Sequence, residues 1–390
     1  MKLSRIPENR FSQTGLTLVE LMIALTISSI LMIGIFNIYS SSKQAYKVND
    51  AFSVMQENAR LALRFLTNDI RMAGYIGCAW STGANVGSTL NTASLTADQQ
   101  AFINGFGTGL EGYEANGTGP NTTLNLETGA TAGFNRTVNG LFTGHIDGSD
   151  IIVVRHANGR GVKLSGNKNS ANFTIQDGGT NAIVGICHEP SGICEGDILM
   201  VSDCSKGRLF QVTSLSAIGG GEIRVVHAGS GTPGNSTTSW GGSATDPATW
   251  FAPGDSEILK LGAYAYFIAP GASGQPTLKR LFNMDTIPQE LVEGVENMQI
   301  LYGTDSNGDG RANQYVVAPV AITNNVVSVR ISLLMSTPEQ IPNRNNDTKT
   351  YNMLSENNAV NVRVTPTADR RIRKVFTTTV KLRNKGLINE

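Results

Sequence analysis

The sequence predicts an α+β protein in which one long N-terminal helix packs on an antiparallel β-sheet domain carrying large loop insertions. Three observations predict it. A charge-poor apolar run near the N-terminus passes directly into a helical repeat of apolar residues. Segments rich in Val, Ile, Leu and Thr recur through the rest of the chain. Between them lie stretches crowded with Gly, Asn, Ser and Thr, the residues that favour turns.

The helix comes first. From Leu16 to Ser42 the only charge is Glu20, and Leu21 to Tyr39 matches the roughly 20 residues that cross a bilayer as a helix. Lys2, Arg5 and Arg10 precede it against the single acid Glu8, so the N-terminus is expected on the cytoplasmic side and everything after Lys43 on the other. An ordinary secretory signal has a shorter apolar core, about 7–15 residues, and is cut after it. An acid inside an apolar helix costs several kcal/mol and is retained for a function or a partner, which makes Glu20 the residue to explain. The alternative is an acid resting at headgroup level.

Past the apolar run, Val48, Phe52, Met55, Ala59, Ala62, Leu66, Ile70 and Ala73 recur at steps of three or four. Gly74 and Gly77 end the pattern. One helix from Leu16 to Ala73 would be roughly 90 Å long. The expected organisation is a membrane part over 16–40, an amphipathic spine over 41–74, and a β-rich head over 75–390.

Strands are expected at 150–156, 197–203, 208–215, 222–228, 261–269, 326–336 and 373–383, on one sheet beside the helix. A short helix or turn is expected from Pro288, leading into a further strand near Tyr302, and a short helix over Leu95 to Asn104.

Lys plus Arg and Asp plus Glu number 31 each, so no charge surplus points to nucleic acid. Cys78, Cys187, Cys194 and Cys204 form an even set without a Cys-x-x-Cys pair, which favours two disulfides in an oxidising compartment over a redox or zinc motif. Pairing Cys187 with Cys194 closes a small loop whose Pro190 and Gly192 favour a turn, and leaves Cys78 with Cys204.

Candidate chemistry is sparse. Asp305, Asn307, Asp309 and Gly310 repeat the first half of a calcium loop, but Val316 stands where a bidentate Glu would complete it. A calcium site and a plain Asp/Asn/Gly turn both remain open, and calcium is the one cofactor in view. The run Gly107–Gly112 has a dinucleotide-like glycine spacing without a strand before it or a helix after it, and is expected to be a loop. His145, His156 and His227 stand isolated, and Arg370, Arg371, Arg373 and Lys374 are expected on a solvated strand edge. No nucleophile, paired acid or metal constellation suggests an enzyme.

The segment "QTGLTLVELMIAL", residues 13–25, resembles the type IV prepilin signature. That resemblance implies the type IV pilin fold, cleavage between Gly15 and Leu16 by a prepilin peptidase, and methylation of the new amine. The family usually has Phe where this chain has Leu16. It further implies that the amine at Leu16 and the carboxylate of Glu20 form a charge pair between neighbouring subunits. "NDIRMAGYIGC" at 68–78, "GDILMVSDC" at 196–204, "LYGTDSNGDG" at 301–310 and "VFTTTVKLRN" at 375–384 are similar to landmarks of PilW-type minor pilins. The implied role is initiation of pilus assembly and the tip complex, supporting twitching motility and adhesion. Implied partners are other minor pilins, the major pilin, the inner-membrane assembly platform and a large tip adhesin. A J-like minor pseudopilin of type II secretion is the alternative.

Overall fold

The computed structural model describes residues 15, 17–78, 85–93, 95–119, 122–128, 130, 132–134, 141–166, 171–176, 182–219, 222–238, 251–283, 285–318, 325–356 and 360–384. The chain divides into two units, Met1–Ser53 and Val54–Glu390, and the first helix, α1 (Leu18–Met72), runs through the boundary.

After α1 come β1 (Asn85–Ser88), α2 (Ala97–Asn104), a 3-10 turn, β2 (Leu110–Tyr113), β3 (Thr123–Asn125), β4 (Ile151–Leu164) and β5 (Asn172–Gln176). Next are β6 (Ala182–Val184), β7 (Cys187–Glu189), β8 (Ile193–Cys194), β9 (Ile198–Ser202), β10 (Lys206–Gln211), β11 (Ser214–Gly219) and β12 (Glu222–Val226). The chain continues through β13 (Glu257–Pro270), β14 (Pro276–Phe282), β15 (Gln289–Glu293), β16 (Val295–Thr304) and β17 (Gln314–Val316). It ends with β18 (Val326–Ser336), β19 (Tyr351–Glu356), β20 (Val360–Thr365) and β21 (Arg373–Lys381).

Four sheets are present among the described residues, not one. The largest runs β1-β10-β9-β13-β4-β5-β12-β11, with β2 on β4 and β14 then β15 continuing from β13. A second runs β17-β16-β18-β21, and two small sheets are β19-β20-β3 and β6-β7-β8. Long β13 is the backbone of the largest sheet: it pairs with β4, β9 and β14, and its residues 258–269 are nearly all buried.

Within the second unit α1 presents Met55, Ala59, Ala62, Leu66 and Ile70 to the core, each fully buried. Their three-and-four spacing is what places them on one face. Asp69 adds a polar anchor by accepting a hydrogen bond from the Tyr266 hydroxyl of β13. The helix stops at Gly74, whose φ of 75° is the left-handed conformation that glycine adopts without strain. Its last carbonyls are answered from far along the chain: Arg383 N donates to Arg71 O at 3.2 Å, and Asn384 Nδ2 reaches Met72 O and Ala73 O at 3.5 Å.

Several expectations are corrected. The segment from Pro288 holds no helix: Gln289–Glu293 and Val295–Thr304 are strands, with Gly294 at φ 81° making the turn between them. Residues 208–215 divide between β10, which ends at Gln211, and β11, which begins at Ser214; Gln211 also bonds the 232–235 loop. Gly107–Gly112 is not wholly loop, since β2 begins at Leu110 and pairs with β4. The basic run is a solvated edge only in part: β21 is the edge strand of its sheet and Arg370 and Lys374 are exposed, but Arg371 and Arg373 turn to carboxylates. Arg371 meets Asp369 at 3.1 Å, and Arg373 meets Glu296 at 2.6 Å and Asp369 at 2.7 Å, its side chain only 2% exposed. Pairing of β21 with β18 in the same sheet as β16 brings Arg373 to these carboxylates, which offset the cost of burying its charge.

Candidate functional site

In the first unit the feature that calls for a function is the start of α1. Thr17 caps the helix. Its backbone N–H donates to Glu20 Oε2 at 3.0 Å and its hydroxyl donates to the same oxygen at 2.9 Å, while Glu20 N donates back to Thr17 Oγ1 at 3.3 Å. This is a capping box, in which a threonine and a glutamate three residues on satisfy donors that the first helical turn leaves open. Gly15, just before it, is exposed and has open space where a side chain would stand. Residues 1–14 and Leu16, where the leader and the new amino terminus are expected, lie outside the described residues.

Beyond Glu20, the helix shows apolar surface all round. Leu21, Met22, Leu25, Ile30, Met32 and Phe36 are each more than half exposed, and the best stretch has a mean hydropathy of 2.3, long and apolar enough to cross a membrane. Water does not suit such a surface, whereas lipid or neighbouring apolar helices do.

At the other end of the chain, β16, β17, β18 and β21 build the second sheet, β13, β14 and β15 belong to the first, and β19 and β20 pair with β3 in a small sheet. Comparison with known families matches residues 265–384 to Type IV Pilus-assembly protein W. Residues 10–36 match the Prokaryotic N-terminal methylation motif, which covers the Gly15 junction and the capping box. The chain matches a PilW-type prepilin. A solved type IV-like pilin from Thermus thermophilus is also similar, 18% identical over 32% of this chain and 68% of that one, with a TM-score of 0.18. At that score the overlap says nothing about the fold, which rests on the helix and sheets described above. No curated protein matches.

Two disulfides brace the second unit. Cys78 joins Cys204, 126 residues apart in sequence, and ties the segment after α1 to the β9–β10 turn. Cys187 joins Cys194 across β7 and β8, where the two are direct register partners. That small loop is further held by Lys260, whose Nζ lies 2.7 Å from Asp197 Oδ2 and 3.1 Å from Gly192 O.

The 305–310 loop is built around Asp305. Its Oδ1 accepts from Asn307 N at 3.1 Å and Gly308 N at 2.7 Å, and its Oδ2 accepts from Gly310 N at 2.7 Å. These bonds hold its carboxyl below the usual range against the opposing effect of desolvation. Asn307 Nδ2 donates to Asp309 Oδ2 at 3.2 Å, so that all three candidate ligands share one turn. Gly308 and Gly310 have φ of 80° and 75°, the conformation that lets the chain fold back so tightly. The oxygen donors suit a hard cation, but a carboxylate already accepting three backbone N–H bonds also makes the turn without one.

Other buried polar groups are held in structural contacts. Arg155 is fully buried, donating from Nε to Phe102 O at 2.7 Å and from Nη2 to Glu111 Oε2 at 2.6 Å, and burial lowers its pKa to about 10. His156 Nε2 lies 3.8 Å from Asp69 Oδ1 in the joint between α1 and the large sheet. Burial pushes the buried carboxyls of Glu114 and Asp150 up, Glu114 to about 9 with Asp150 adding repulsion. Asp150 accepts from Ala115 N at 3.0 Å and Ile300 N at 2.8 Å, and so joins the large sheet to β16. A cavity of about 400 Å³ is lined by Glu296, Asp369, Arg371 and Arg373, which are already paired with one another. Among the described residues no group of three His, Cys, Asp or Glu side chains is placed to hold a metal ion.

The residue that the sequence reading missed is Thr17. Its signal was present, because Thr-x-x-Glu at the start of an apolar helix is the capping-box pattern.

Proposed function

We propose that this chain is a minor pilin of a type IV pilus, helping to start filament assembly at the tip and supporting twitching motility and adhesion. The observation that carries the reading is the pairing of a methylation motif at 10–36 with a pilus-assembly match at 265–384 on one chain. The helix that begins in the first match runs on through Met72 into the second unit, so one element serves both as apolar anchor and as part of the head's core. Its role is structural rather than catalytic. Cleavage after Gly15 would leave a positive amine near Glu20, whose carboxylate can serve both its own cap and a neighbour's amine. The head is then periplasmic before assembly and at the cell surface afterwards, with companion minor pilins, the major pilin, the assembly platform and a tip adhesin as partners.

The test is deletion of the coding sequence followed by complementation, scoring surface pili and twitching. Loss of both, restored by the wild-type chain, supports the reading. Normal piliation together with loss of protein secretion would instead assign the chain to a type II secretion pseudopilus.

A further inference from the structure

The second sheet ends on an edge unlike the others. β21 closes the order β17-β16-β18-β21 and runs for 9 residues, Arg373–Lys381, in unbroken register with β18. Every other edge strand among the described residues is 6 residues or shorter, and β11, β15 and β19, the longest of them, each carry a register shift in their ladder. Short strands and bulges are common devices that keep a sheet edge from accepting a further strand, and β21 has neither.

The direction of its backbone groups follows from two bonds at its ends. Leu382 N donates to Val327 O at 3.0 Å and Thr337 N donates to Ile372 O at 3.0 Å, so the even-numbered residues of β21 face β18 and the odd-numbered ones face away. Val375, Thr377, Thr379 and Lys381 therefore present their N–H and C=O groups to the outer side, where among the described residues no backbone group bonds them. Arg383, next in the outward series, shows that side in use, since its N–H reaches Arg71 O at 3.2 Å. The charge along the edge has one sign. Neither β18 nor β21 holds an acidic residue, and Lys374 and Lys381 are exposed. Arg330 of β18 adds a third cation beside them, its guanidinium 4.1 Å from the centre of the Tyr315 ring and its Nε 3.1 Å from Thr379 Oγ1. Arg373, by contrast, is already met by Glu296 and Asp369.

We propose that the outer edge of β21 is a docking site for an extended, acidic segment of a partner protein, which joins the second sheet as a further strand. Main-chain bonds to Val375, Thr377, Thr379 and Lys381 hold that strand, and Lys374 and Lys381, near the two ends of the edge, select its charge. Lysines on an edge discourage chance pairing, and the same charges favour an acidic strand over a neutral or basic one. A second copy of this chain does not fit, because joining two β21 edges brings lysines toward lysines with no acid on either strand.

The experiment uses the full-length chain in detergent and two fluorescent peptides of the length of β21, one alternating glutamate with valine and one alternating lysine with valine, with binding read by anisotropy. The acidic peptide is expected to bind about tenfold more tightly than the basic one, or better. Thr377→Pro and Thr379→Pro together remove two outward N–H donors and leave the bonds to β18 in place. That variant is expected to bind the acidic peptide about tenfold more weakly while its unfolding midpoint stays close to that of the wild type. Lys374→Glu and Lys381→Glu together are expected to reverse the preference between the two peptides, which gives an answer even where the proline variant fails to fold. Failure of the acidic peptide to bind, equal affinity for both peptides, undiminished binding by the folded proline variant, or a preference unaltered by the lysine reversal overturns the proposal. Self-association of the wild-type chain that the proline variant abolishes would assign the edge to a second copy and also overturn it.

Discussion

Thr17 and Glu20 clasp each other at the start of α1, the Glu20 carboxylate accepting from both the backbone N–H and the hydroxyl of Thr17, at 3.0 and 2.9 Å. A capping box works with glutamate or glutamine, whereas a charge pair with a neighbour's amine needs the carboxylate. Substitution can therefore separate the two roles. Glu20→Gln should mature normally and keep the cap, yet enter filaments poorly. Glu20→Ala should lose both, and Thr17→Ala should lose only the cap, worth about 1 kcal/mol. Immunoblots of membrane and sheared-pilus fractions read the outcome, and full incorporation of Glu20→Gln would reduce Glu20 to a capping residue.

The mature chain should begin at residue 16. The methylation-motif match spans the Gly15–Leu16 junction, and Gly15 stands exposed before the helix. N-terminal sequencing of membrane-extracted protein checks this directly. Gly15→Val should leave the precursor uncut, while a start beyond Ser42 would mean an ordinary signal sequence.

Removing the two disulfides should have unequal effects. Loop entropy gives about 5 kcal/mol for the long Cys78–Cys204 closure and about 2 kcal/mol for Cys187–Cys194, a model-dependent scale. The Cys78→Ser, Cys204→Ser double variant should therefore show the larger fall in unfolding midpoint in urea. The Cys187→Ser, Cys194→Ser pair should change mainly the protease sensitivity of its hairpin. An equal loss from both would contradict the entropic account.

Stability should fall as the medium becomes alkaline. Burial and then the nearby Asp150 raise Glu114 from an ordinary 4.5 to about 9, so the folded chain retains a proton that the unfolded chain releases. The stabilisation is complete below the ordinary value, declines as the pH climbs, and is gone once the pH passes the folded value of about 9. Glu114→Gln, neutral at every pH, should flatten that decline and raise stability near pH 8 by on the order of 1–3 kcal/mol. Urea titrations across this range decide it. An unchanged decline in the variant would show that Glu114 is ionised in the native protein.

The 305–310 turn separates two readings of the same residues. If Asp305 only shapes the turn, Asp305→Ala should destabilise the chain by about 1–3 kcal/mol with or without calcium, because several buried or half-buried N–H groups lose their acceptor. If calcium binds, the wild-type melting temperature should rise on addition of millimolar calcium, the range of weak extracellular sites, and Asp305→Ala should abolish the rise. Differential scanning fluorimetry with calcium and with a chelator distinguishes them.

What the sequence alone determined is local and periodic. A membrane-length apolar run, the three-and-four spacing from Met55 to Ala73, and alternation at 326–336 each follow from nearest-neighbour geometry, and the structure shows a helix to Met72 and a strand over Val326–Ser336. The Cys187–Cys194 pair belongs with these, since its turn lies between the two cysteines. What only the tertiary structure decided depends on residues far apart in the chain. No window of sequence shows that Arg373 meets Glu296, that Asp69 receives the Tyr266 hydroxyl, or that Arg383 and Asn384 close the end of α1. A buried charge or an open carbonyl takes whichever partner the fold brings within about 3 Å, and that choice is made by sheet register and packing, not by spacing along the chain.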